Sequence, residues 1–159
     1  MKKFTAALVG TIVALAMPMA AQAQSFSTVN GSGSVSGSGD ADLEQSIRVL
    51  CTVSLSGPVS SSSISITSRS ISPGDLSCLA VGPQGTWSAN VVPGDNTKID
   101  VTMGANTIAN QPCYGTVRGD WDNVGKYLSI VGATLPPVNP AHASCTIHSA
   151  DIYIPNLNL

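Results

Sequence analysis

Few side chains here can do chemistry. There are two histidines, His142 and His148, and four cysteines, Cys51, Cys78, Cys113 and Cys145. A serine hydrolase needs Ser, His and an acid converging in space. The chain has no G-x-S-x-G elbow. His148 and Asp151 lie three apart on a stretch read as strand, which sends them to opposite faces. Asp120-Trp121-Asp122-Asn123 offers oxygens of the kind calcium takes. Only its first two acids fit the EF-hand pattern, because Val124 stands at the fifth position and Gly125 follows directly. The segment therefore reads as a polar hairpin turn. No P-loop or dinucleotide fingerprint occurs. These residues predict no enzyme, no catalytic residue, no cofactor and no metal.

The cysteines carry the clearer message. Their spacings are 27, 35 and 32 residues, without the C-x2-C pairs of a zinc site. An even count in an exported chain predicts two disulfides. Three connectivities are open. A local repeat favours Cys51–Cys78 and Cys113–Cys145. Cys51-Thr-Val-Ser-Leu-Ser-Gly57 leads through a turn to Ile64-Ser-Ile-Thr67 and on to Cys78. Cys113-Tyr-Gly-Thr-Val-Arg-Gly119 leads through a turn to Tyr127-Leu-Ser-Ile-Val131 and on to Cys145. A bridge inside each unit staples an incoming strand to its return loop.

Aromatics supply the remaining binding candidates. Trp87, Trp121 and Tyr114, with Tyr127 and Tyr153, offer a stacking surface for sugars or apolar molecules. The rival reading spends them on the core, where each ring buries about 150–250 Å². Alternation puts Trp121 in phase with Val117 and Gly119, which favours the core for it. Trp87 sits beside Gly85 in a Pro/Gly loop, and both readings stand.

Positioning these residues falls to a small, weakly charged chain of 159 residues. Charged residues are 10% and the net charge is −2, too few cations for a phosphate-binding stripe, so no nucleic-acid partner is expected. Residues 1–23 read as a signal peptide: Lys2 and Lys3, an apolar run from Phe4 to Met17, Pro18, and Ala21-Gln22-Ala23 before Gln24. The run stops short of the ~20 apolar residues a spanning helix needs, and no transmembrane segment is expected after cleavage. Loss of both lysines takes the net charge to about −4. The predicted location is extracellular or cell-surface, with the periplasm also open.

Residues 24–45 read as a Ser/Gly-rich N-terminal arm and 46–159 as a single β domain. Three readings of the arm stand: a flexible linker, a strand of its own domain, or a strand lent to a neighbouring subunit. Asp40–Gln45 reads as a turn leading into a strand over Ile47–Leu55. Period-two alternation marks further strands at 64–67, 99–103, 116–121, 127–131 and 147–154. Turn chemistry marks Ser56-Gly57-Pro58, Pro73-Gly74-Asp75, Pro93-Gly94-Asp95-Asn96 and Asn123-Val124-Gly125. The predicted fold is all-β: an antiparallel β-sandwich, or a partly open barrel, with two disulfides.

Cys51-Thr-Val-Ser-Leu-Ser-Gly57, Cys78, Cys113-Tyr-Gly-Thr-Val-Arg-Gly-Asp-Trp121, and Cys145-Thr-Ile-His with Ile152-Tyr-Ile-Pro155 resemble the PraB-like family, the protein activators of alkane oxidation. The resemblance covers roughly residues 47–159. It implies an extracellular, non-catalytic protein linked to growth on alkanes or to biofilm adhesion, with an apolar substrate, the extracellular matrix or itself as partner. Two other readings come from the residues. One is a small carbohydrate-binding module using Trp87 and Trp121. The other is a filament subunit with residues 24–39 as donor strand.

Overall fold

The computed structural model describes residues 24–74, 76–107 and 110–159. The segment read as a signal peptide lies outside them. Alternating β-branched and small polar residues make almost every element a strand. In chain order these are β1 (Ser27–Thr28), β2 (Ser34–Gln45), β3 (Ile47–Pro58), β4 (Ser63–Ile66), β5 (Ser68–Pro73), β6 (Gly82–Pro83), β7 (Trp87–Val92), β8 (Asp95–Asn106), β9 (Pro112–Asp122), β10 (Tyr127–Leu135), β11 (Cys145–Tyr153) and β12 (Leu157–Asn158). A short 3-10 turn spans Leu76–Ala80.

One antiparallel sheet runs β4-β7-β8-β9-β10-β11-β2-β3-β5, with β6 added beside β8. It curls into a nearly closed barrel, so the all-β expectation holds. Consecutive strands β4 and β5 are the two edges of this sheet. β4 pairs with β7 and β5 pairs with β3. The chain changes partner at Thr67, whose N–H donates to the Ser56 carbonyl at 3.0 Å. Inside lie Val35, Val53, Ile64, Ile99, Ile130 and Ile147, all buried.

The Ser/Gly-rich segment corrects the expectation of an arm preceding the domain. Its residues 34–45 form β2, paired along most of its length with β11 on one side and β3 on the other. Of its three readings, the strand of its own domain is the observed one. The reason is period two: the serines point outward while Val35, Ala41 and Leu43 point in. The same alternation carries the strand through Asp40–Gln45, which was expected to be a turn. The reversal is left to Ser46 alone, at φ 70° between the paired Gln45 and Ile47. Ser56-Gly57-Pro58, also expected as a turn, lies inside β3. Gly57 is there because a Cβ at this position would come within 1.8 Å of the Ser65 carbonyl oxygen.

The two ends of the barrel are closed differently. At one end Phe26 is buried in the core, its N–H donating to the Ser61 carbonyl at 2.8 Å, and β1 pairs with β12. The opposite end carries the β2–β3 turn, the 3-10 turn and both disulfides. Outside, cross-strand ion pairs lace the sheet. Arg118 forks onto Asp100 at 2.8 and 2.9 Å, and Arg48 onto Asp42. These hydrogen bonds hold both carboxyl groups below the usual range. The Thr97 hydroxyl and N–H do the same for Asp95, and the Gly125 and Val124 N–H groups for Asp122.

A pH dependence follows. A carboxyl whose folded pKa is depressed contributes stability above its unfolded value of about 3.9, and loses it as pH falls through and below that value. The urea midpoint should stay level from about pH 7 to 5 and drop below about pH 4. A midpoint that rises on acidification through that lower window contradicts this.

Candidate functional site

The four cysteines sit where the repeat placed them. Cys51 pairs with Cys78 and Cys113 with Cys145, at Cα separations of 5.6 and 6.0 Å. Beside Cys113 lies Gln45, a buried side chain that no local residue pattern singles out. Its amide donates to the Ala143 carbonyl at 2.6 Å and reaches the Cys113 sulfur at 3.3 Å. Its carbonyl accepts from the Thr107 hydroxyl. Its main partners stand 98 and 62 positions away, beyond any local pattern.

The two tryptophans are core residues. Trp87 is 3% exposed and Trp121 4%. Trp87 Nε1–H is shared between the Gln84 and Gly104 carbonyls at 3.0 and 3.1 Å, while Trp121 donates to Asn123 at 3.2 Å. Neither offers a face to a ligand outside the barrel. Of the two readings, the core is the observed one: as favoured for Trp121, and now also for Trp87, so neither forms the stacking surface. In so apolar a wall an indole satisfies its single donor on a carbonyl and buries its rings. Tyr114 is half-buried. Its ring lies over Gly85, where a Cβ would come within 2.4 Å, and its hydroxyl donates to the Thr86 carbonyl at 2.7 Å. It locks the loop before β7 and does not join the tryptophans in one exposed site.

Other expected residues are also spoken for. Asp122 caps its hairpin turn through the Val124 N–H at 2.8 Å, and Asp120 pairs with Lys98. His148 contacts Glu44 at 2.6 Å. Among the described residues, no group of three or more His, Cys, Asp or Glu converges as a metal site.

Two apolar features differ in whether they can meet a partner. The disulfide end is apolar outside as well as in. Leu76 is 85% exposed and Leu79 71% on the 3-10 turn, and Ile47 and Leu50 are exposed on β3. Leu50 and Leu79 flank the bonded Cys51 and Cys78, so the bridge holds these side chains at one pole. The barrel interior, by contrast, encloses a void of about 40 Å³ lined only by apolar atoms. Its wall offers water no hydrogen-bond partner, and the space is too small for a hydrocarbon chain.

The family model for the alkane oxidation protein activators, PraA/PraB-like, matches residues 1–157. The chain belongs to this family. No curated protein and no solved structure matches it. Among the described residues, no helix is long and apolar enough to cross a membrane.

Proposed function

We propose that this chain is an exported, non-catalytic helper of alkane use, working by contact with hydrocarbon or with apolar cell surfaces. The observation that carries this reading is the leucine pole, presented on a disulfide-anchored turn. Membership in the alkane oxidation activator family supports it. Two disulfides suit an oxidising space outside the cytoplasm. Four exposed aliphatic side chains gathered at one end of the barrel are the kind of surface that meets an apolar partner.

The test compares wild type with Leu76→Ser/Leu79→Ser. Both positions are exposed, so stability should change by no more than about 0.5 kcal/mol each. Adsorption to a hexadecane–water interface, read by drop tensiometry, should fall at least tenfold, and growth on hexadecane should slow while growth on succinate does not. Equal adsorption by the two proteins refutes the reading. Fractionation of cells and medium tests export directly: protein confined to the cytoplasm with free thiols sinks it.

A further inference from the structure

The outer face of the sheet holds a second surface, remote from the leucines in chemistry. Register sets one residue from each of six strands in a row: Asp122, Tyr127, Tyr153, Ser38, Ser54 and Ser70, on β9, β10, β11, β2, β3 and β5. Tyr127 and Tyr153 are 45% and 43% exposed, with ring centroids 5.1 Å apart and planes tilted by 39°. Together they make one aromatic platform. Beside it, Tyr153, Pro155, Ser36 and Ser38 line an open cleft of about 220 Å³.

The neighbouring row shows what is unusual here. There, Ser129 donates to Asp151 at 2.5 Å, Thr52 to Asp40 at 3.0 Å and Ser72 to the Thr52 carbonyl at 3.4 Å. Among the described residues, the side chains of Tyr127, Tyr153, Ser38, Ser54 and Ser70 make no such bond. Their hydroxyls are left for a partner, each able to donate and accept. No lysine or arginine stands in the row, which removes phosphate as its target.

We propose that this row is a binding site for an extended β-linked polysaccharide. The chemistry of the two surfaces matches. The C–H faces of pyranose rings pack on aromatic rings, whose π faces are electron-rich, and sugar hydroxyls exchange hydrogen bonds with serine and tyrosine hydroxyls. The spacing matches too. Tyr127, Tyr153 and Ser38 stand on three adjoining strands about 4.8 Å apart, so this stretch of the curved wall spans about 10 Å. One strand step is close to the advance of one sugar in an extended β-linked chain, whereas an α-linked chain coils away from the tyrosine platform. This surface is distinct from the leucine pole, and either can fail alone.

The experiment titrates the purified exported protein with cellohexaose and chitohexaose, with maltohexaose as the coiled control. Binding is followed by amide shifts in ¹⁵N spectra. Shifts confined to Tyr127, Tyr153 and Ser38 and their neighbours are expected for at least one β-linked probe. Tyr153→Ala should weaken that binding at least tenfold, Tyr153→Phe should retain most of it, and Leu76→Ser/Leu79→Ser should leave it unchanged. Spectra of the remaining amides report whether each variant is folded. Absence of shifts up to the solubility limit overturns the proposal, as does equal binding of maltohexaose or insensitivity to Tyr153→Ala. Broadening of the row that grows with protein concentration in the absence of sugar assigns the face to a second copy of the chain, and also overturns it.

Discussion

Gly39→Ala should cost roughly 3 kcal/mol of folding stability. Gly39 lies where β2 crosses closest to β11, opposite Ile152. A Cβ there would stand 1.8 Å from the Asp151 carbonyl oxygen and 2.9 Å from the Ile152 Cα. Both neighbours are backbone, which cannot rotate aside, so the two strands must part. Overpacking of this kind costs about 1–3 kcal/mol, and each strained or lost ladder bond adds about 1 kcal/mol. A domain of this size holds about 5–15 kcal/mol in all. Urea denaturation supplies the measurement, with Gly82→Ala as the matched control. No atom lies within 4 Å of a Cβ at Gly82, and that change should stay within about 0.5 kcal/mol. Equal midpoints for the two variants would mean that the β2–β11 contact is not as close as described.

Removing the bridges separately should give two different proteins. Their closed loops span 27 and 32 residues, for which chain entropy assigns about 3.5 kcal/mol each. The environments then split them. Cys113 and Cys145 lie in the main core with Leu135 and Ile147. Cys113→Ala/Cys145→Ala also removes the sulfur that the buried Gln45 amide faces. This variant should lose more than the loop value, and its melting temperature should drop by more than about 10 °C. Cys51 and Cys78 belong to a smaller cluster with Val49, Val81 and Ala105. Cys51→Ala/Cys78→Ala should lose no more than the loop value, keep the barrel, and free the 3-10 turn that presents Leu76 and Leu79. It should therefore adsorb poorly to hexadecane while still folding. Thermal melts with tensiometry decide the matter. A Cys51→Ala/Cys78→Ala protein that adsorbs like wild type would separate the bridge from the leucine pole.

Local periodicity explains what could be read from the residues alone. Strands such as Tyr127–Leu135 and Cys145–Tyr153 announce themselves by alternation, and the repeated cysteine units set both disulfides. Residues 34–39 were ambiguous because Ser and Gly carry linker composition and strand alternation together. Only the partners β3 and β11, supplied from elsewhere in the chain, decide between them. Ser56-Gly57-Pro58 misled for a related reason. A glycine needed for close approach to Ser65 looks the same in sequence as one needed for a turn. Tyr127 and Tyr153 are stacking candidates by residue type, but their alignment with each other and with Ser38 exists only through the register of three strands. Trp87 could not be assigned either, because its carbonyl partners Gln84 and Gly104 come together only when β6 docks beside β8.

Pairing of Ser27 with Asn158 and Thr28 with Leu157 brings the beginning and the end of the described chain out side by side, at the pole away from Leu76 and Leu79. A tether, label or fused partner attached at either terminus therefore leaves the leucines pointing outward. A particle coated through such a tag would display the same apolar cap in either orientation of attachment.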